Sequence, residues 1–85
     1  MILNIIEAKH IQDYQLWIKF SNGIAKTVDL KEVIFKDQRK IFHPLRDLEY
    51  FKRFSIQLNT VTWPNEADFA PEFLDDIGHL VEQAA

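Results

Sequence analysis

The chain has 85 residues, 47% of them hydrophobic and 13% aromatic, with a formal net charge of −3. A chain this short holds one hydrophobic core, expected as a single domain over residues 1–85, and buries only roughly 60–65% of its unfolded surface, so nearly every large apolar side chain is needed inside. The lack of cysteine excludes disulfides, thiolate metal sites and cysteine nucleophiles; with no membrane-length apolar run and no signal-peptide pattern after Met1, a cytoplasmic protein without membrane contact is expected.

Residues 2–9, rich in Ile and Leu, read as a first strand with apolar side chains on both faces, which predicts a place inside a sheet. Tyr14, Leu16, Ile18 and Phe20 then alternate with Gln15, Trp17 and Lys19, the pattern of a strand with one buried face. Ser21-Asn22-Gly23 is a turn signal whose register follows from hydrophobicity. A two-residue loop would set Lys19 against Lys26, whereas a three-residue loop with Gly23 in the left-handed conformation aligns Phe20 with Ile24, Leu16 with Val28 and Tyr14 with Leu30, so the bulged three-residue hairpin is predicted.

After Leu30 the chain turns irregular and charged, and Lys36-Asp37-Gln38-Arg39-Lys40 is expected to be a mobile loop. A short helix with Asp47 as N-cap carries Leu48 and Phe51 inward. Residues 54–58 and 60–63 form two short strands ending at Trp63-Pro64, since Pro64 cannot donate to a ladder. From Pro71, the residues Phe73, Leu74, Ile77, Leu80, Val81 and Ala84 fall on one helical stripe, predicting an amphipathic C-terminal helix with Asp68 as an upstream cap and Gly78 in its interior. The expected class is α+β: a three-stranded antiparallel meander, a short helix, a β-hairpin and a C-terminal helix packed on the sheet, in the order βββαββα.

The succession Asp13-Tyr14, Leu16, Phe20-x-Asn22-Gly23, Val28-Asp29-Leu30, Phe42-x-Pro44-Leu45, Phe51, Val61-x-Trp63-Pro64-Asn65-x-Ala67-Asp68 and Pro71-x-x-Leu74 resembles the small bacterial proteins of the domain-of-unknown-function 2442 family over nearly the whole chain. The Trp-Pro-Asn-x-Ala-Asp stretch is its most specific part, and Glu66 stands where the pattern implies Gly. Gly23, Asp29, Trp63 and Asp68 thus read as structural motif residues. The resemblance implies the same meander, helix, hairpin and helix, and no established activity. It further implies, for some similar proteins, a neighbouring small partner in an arrangement like a toxin–antitoxin pair, and for others an appended helix-turn-helix. Ending at Ala85, this chain is expected to be the stand-alone form.

No constellation predicts catalysis, a cofactor or a metal. His10, His43 and His79 lack ligand spacing, and Asp75, Asp76 and His79, which would share one helical turn, read as a polar helix face rather than a metal site. Asp29 and Asp68 read as a turn residue and a cap rather than a carboxylate pair. With only Gly23 and Gly78 in the chain, no nucleophile elbow or phosphate loop can form. An uncharacterised enzyme or metal protein would need a concave pocket gathering His43 or His79 with carboxylates.

Charge is unevenly distributed. Residues 31–53 hold Lys31, Lys36, Arg39, Lys40, Arg46, Lys52 and Arg53 against four acids, whereas residues 66–82 hold six acids and no Lys or Arg. Trp17 lies on the polar face of its strand between Gln15 and Lys19, and uncovered it would anchor a protein partner. The leading expectation is therefore a non-catalytic protein-interaction module, antitoxin-like or regulatory, with Trp17, Gln15 and Lys19 at the contact. Its partner would be an unidentified protein, a small basic one encoded nearby suiting the acidic segment, or a second copy joined at a sheet edge. The alternative is a nucleic-acid-associated transcriptional regulator using Lys36, Arg39, Lys40, Arg46 and Arg53; the acidic net charge argues against direct nucleic-acid binding.

Overall fold

Alternating burial builds the first half of the fold. In the computed structural model, which describes residues 2–81, β1 (Ile5–Gln12), β2 (Gln15–Phe20) and β3 (Ala25–Asp29) form an antiparallel meander. Leu16, Ile18, Phe20 and Val28 are wholly buried on one face. The three-residue hairpin forms as the hydrophobic pattern requires: Leu16 pairs with Val28, Phe20 N–H donates to the Ile24 carbonyl at 2.9 Å, and Gly23 takes φ 85°.

β1 departs from its expected interior position. It is an edge strand, first in the order β1-β2-β3, and Ile6 and Ile11 are exposed. Both fall at register shifts against β2, between Ile5 and Glu7 and between His10 and Gln12. An extra residue at a bulge breaks the two-residue phase, so isoleucines that seem to fill both faces are turned outward.

The stretch after Leu30 is ordered by short elements: helix α1 (Lys31–Lys36), a 3₁₀ helix (Lys40–Arg46) and helix α2 (Leu48–Phe51). Asp29 Oδ1 accepts the Lys31 N–H at 3.0 Å at the start of α1, and Asp47 Oδ1 accepts the Glu49 N–H at 3.1 Å at the start of α2. The segment expected as a mobile loop is instead pinned. Asp37 binds the Arg39 backbone and side chain, and the Arg46 guanidinium donates to the carbonyls of Ile34, Phe35 and Asp37 at the end of α1.

A hairpin of β4 (Ser55–Gln57) and β5 (Thr60–Thr62) follows. It leads into Trp63, whose indole N–H donates to the buried Phe51 carbonyl at 2.7 Å. The Trp-Pro-Asn-x-Ala-Asp stretch folds as a turn: Glu66 N–H donates to the Trp63 carbonyl, Trp63 N–H to the Ala67 carbonyl, and Asn65 Oδ1 accepts from Ala67. Glu66 keeps the positive φ, 70°, that glycine would take more easily. Asp68 is not a helix cap; its backbone bridges Thr62, and Ala70 occupies the cap position without a side-chain bond.

Helix α3 (Pro71–Ile77) packs on β3 but stops short of the predicted stripe. Gly78 is extended (φ −77°, ψ 159°), and the chain continues as β6 (His79–Leu80), paired antiparallel with Lys26 and Thr27 of β3. A Cβ on Gly78 would lie 2.9 Å from the Leu74 carbonyl oxygen and 3.0 Å from Lys26 Cβ. The glycine thus permits a close crossing over the Lys26 stem, and pairing with the open edge of β3 outweighs helical periodicity. Leu80 and Val81 leave the stripe; Ala84 lies outside the described residues.

One core results, in which Phe51, Trp63 and Phe69 lie in contact with ring centroids 5.6 and 5.8 Å apart, alongside Leu45, Val61 and Leu74. Among the described residues no helix is long and apolar enough to cross a membrane.

Candidate functional site

The core occupies one face of the four-stranded sheet; the other face carries the side chains that strand alternation sends outward. Trp17 sits near its middle, opposite Lys9 on β1 and Thr27 on β3. It is half-buried, with the Lys9 ammonium 5.5 Å from its ring centroid, a cation–π contact. Gln15 pairs with Gln12 and Asp29, and Lys19 with Glu7 and Ala25, so the three predicted contact residues share this face. Beside Trp17 a groove of about 380 Å³ runs toward the β6 edge, lined by Lys19, Ile24, Leu80 and Val81 among others. Ile24 is 41% exposed and Leu80 67%. These apolar walls escape a reading by helical period, because Leu80 and Val81 join the groove only once the chain leaves α3 for β6. Ile24, which the hairpin register aligns with the buried Phe20, is itself exposed at the turn and joins this groove.

A second groove of about 370 Å³ opens elsewhere, among Phe42, Phe69, Phe73, Asp37, Arg39 and Asp68. Its aromatic rings stack: Phe42 on Phe69 at 5.0 Å and Phe69 on Phe73 at 5.8 Å, with interplanar angles of 15° and 22°. The Arg39 guanidinium lies 4.7 Å from the Phe42 centroid and forks onto Asp37, Nη2 to Oδ2 at 2.7 Å. That hydrogen bond lowers the Asp37 carboxyl from its ordinary 3.8 to about 2.

The five cations of the nucleic-acid alternative do not behave as one free set. Lys36 pairs with Glu32 at 3.6 Å, Arg39 with Asp37, and Arg46 with the carbonyls ending α1. Arg53 lies over the Tyr50 ring at 5.8 Å. Lys40 is exposed and makes no ion pair among the described residues.

The carboxylates and histidines are similarly dispersed. Asp29 Oδ1 accepts the Lys31 N–H two residues on, a side-chain turn leading into α1, whose N-cap position is Leu30. Asp75 pairs with Lys26 at 2.8 Å, and Lys26 also donates to the Asp75 carbonyl. His79, on β6, has left the helix that would have set it beside Asp75 and Asp76. His10 bonds the Asp13 carbonyl through Nε2 at 2.8 Å and packs edge-on against Phe51. Among the described residues no three His, Asp or Glu side chains are grouped to hold a metal ion. Gly23 and Trp63 serve the turn and the core, whereas Asp68 stands exposed at the rim of the second groove.

No curated protein and no solved structure matches the chain. The family described as protein of unknown function (DUF2442) matches residues 5–76, from the first strand to the penultimate residue of α3. That span takes in the meander, the helical segment, the hairpin and the Trp-Pro-Asn turn whose geometry supports Asp68, and on it the chain belongs to the DUF2442 family.

Proposed function

We propose that this chain is a small, non-catalytic protein-interaction module of the bacterial cytoplasm, and that it docks a protein partner on the outer face of its sheet around Trp17. One observation carries the reading: a half-buried tryptophan near the middle of an accessible sheet face opens onto a groove with apolar walls at Ile24, Leu80 and Val81. Aromatic anchors beside a concave apolar surface are where binding energy concentrates in protein interfaces. The Lys9 and Lys19 side chains supply a polar border to the same face.

The family resemblance favours an antitoxin-like or regulatory role with a small basic protein encoded nearby, and a second copy of the chain is the other occupant to be tested. Affinity capture of the tagged protein from its native cytoplasm, wild type against Trp17→Ala, tests the face. One protein retained by the wild type and lost on the substitution is the expected result, with the circular dichroism of the variant unchanged because Trp17 lies outside the core. Nucleic acid retained alone and equally by both would refute it. The acidic 66–82 segment, rather than the lysine-bordered face, would attract a basic partner, and association with such a partner should slow as salt is raised.

A further inference from the structure

The second groove contains a chemical precedent for its own ligand. At one end a guanidinium already lies on a phenyl face while forking onto a carboxylate: Arg39 over Phe42 and onto Asp37. The aromatic stack continues through Phe69 to Phe73, which is 37% exposed, and the groove holds a second carboxylate, Asp68, also exposed. Asp68 forms no ion pair among the described residues. The open end therefore offers the same components, phenyl face and carboxylate, without the cation.

The segment of chain that carries Asp68 and Phe73 is acidic as a whole. Of Glu66, Asp68, Glu72, Asp75 and Asp76, only Asp75 has a cationic partner among the described residues. An unpaired carboxylate, Asp68, in the same groove as the exposed Phe73 ring favours a planar, weakly hydrated cation with an aliphatic stem, which is arginine more than lysine. We infer that this groove docks an arginine-bearing basic segment of a partner protein, the guanidinium stacked on Phe73 and paired with Asp68. The inference rests on the interaction-module reading and adds to it a second contact, chemically distinct from the Trp17 face.

Selection of a displayed library of random dodecapeptides on the immobilised full chain tests it. Enriched peptides should carry arginine beside an apolar residue. Their affinity should fall about tenfold on Asp68→Asn and on Phe73→Ala, and should be unchanged on Trp17→Ala. Replacing the peptide arginine by citrulline, which keeps the shape and removes the charge, should cost a comparable factor. Asp68→Asn keeps the backbone bridge to Thr62, so the fold is preserved even if Phe73→Ala proves unstable. No enrichment, or enrichment of acidic peptides, overturns the inference. Binders lost on Trp17→Ala but indifferent to Asp68→Asn overturn it as well, while leaving the sheet-face reading intact.

Discussion

The two β-hairpins solve the same problem by different means. The turn between β2 and β3 is closed from within: Gly23 N–H donates to the Phe20 carbonyl, Phe20 N–H to the Ile24 carbonyl, and Asn22 Oδ1 accepts from Ile24. Its only residue at positive φ is glycine. The turn between β4 and β5 has no glycine, and Leu58 and Asn59 take φ 51° and 70°, although a leucine pays a steric penalty there. Leu58 is also 95% exposed, so its own packing offsets none of that cost. Support comes from outside the hairpin. The Asn59 carbonyl accepts from Ile5 N–H at 2.9 Å, Thr60 Oγ1 donates to the Phe69 carbonyl, and Trp63 at its base is bonded to Phe51. A hairpin with three-residue strands would be marginal alone; turn chemistry can be locally unfavourable where the core holds both flanks.

Removing the outside support should have the largest effect. Trp63→Ala deletes a side chain 1% exposed and leaves the Phe51 carbonyl without its donor. Chemical denaturation should record a loss of about 3–5 kcal/mol. A loss below about 1 kcal/mol would mean that the second hairpin does not depend on its anchor.

Substituting the turns themselves should give effects of opposite sign. A Cβ at Gly23 meets nothing within 4 Å, so Gly23→Ala isolates the conformational cost and should destabilise by about 1–2 kcal/mol. Leu58→Gly relieves the same strain and sacrifices little packing, but it frees the unfolded chain; the net should be a gain of about 0.5 kcal/mol. Equal signs in paired denaturation curves would refute the contrast.

The same division explains what could be read before the structure was known. Where local pattern and turn chemistry agree, as in Leu16, Ile18 and Phe20 opposite Gly23-bounded β3, strand and register were both legible. Asp47 as a helix cap was legible for the same reason. Helix α1 has six residues, too few for its period to emerge from a charged stretch. β6 has two residues and exists because β3 offers an unpaired edge and Gly78 allows the crossing, neither of which is visible along the chain. The candidate site divides likewise. Trp17 was identifiable from strand alternation, whereas the second groove needs Phe42 brought against Phe69 and Phe73 by tertiary folding.

A third turn, at residues 37–39, is closed by charge, and pH acts on it selectively. Asp37 Oδ1 accepts the Arg39 N–H at 2.9 Å while the guanidinium binds both carboxylate oxygens. The folded carboxyl is lowered from 3.8 to about 2, chiefly by the Arg39 side-chain bond. Because the folded value lies below the unfolded one, its contribution is present above about pH 4 and disappears as pH falls toward 2. Asp37→Asn removes that titration. The wild type should exceed the variant in stability at neutral pH, and the difference measured by denaturation should shrink between about pH 4 and 2. This effect should be the smallest of those argued, because Arg39 is 71% exposed and salt screens the pair. If the two stability profiles run parallel through that window, the turn is held by its backbone geometry, as at Gly23, and charge is incidental to it.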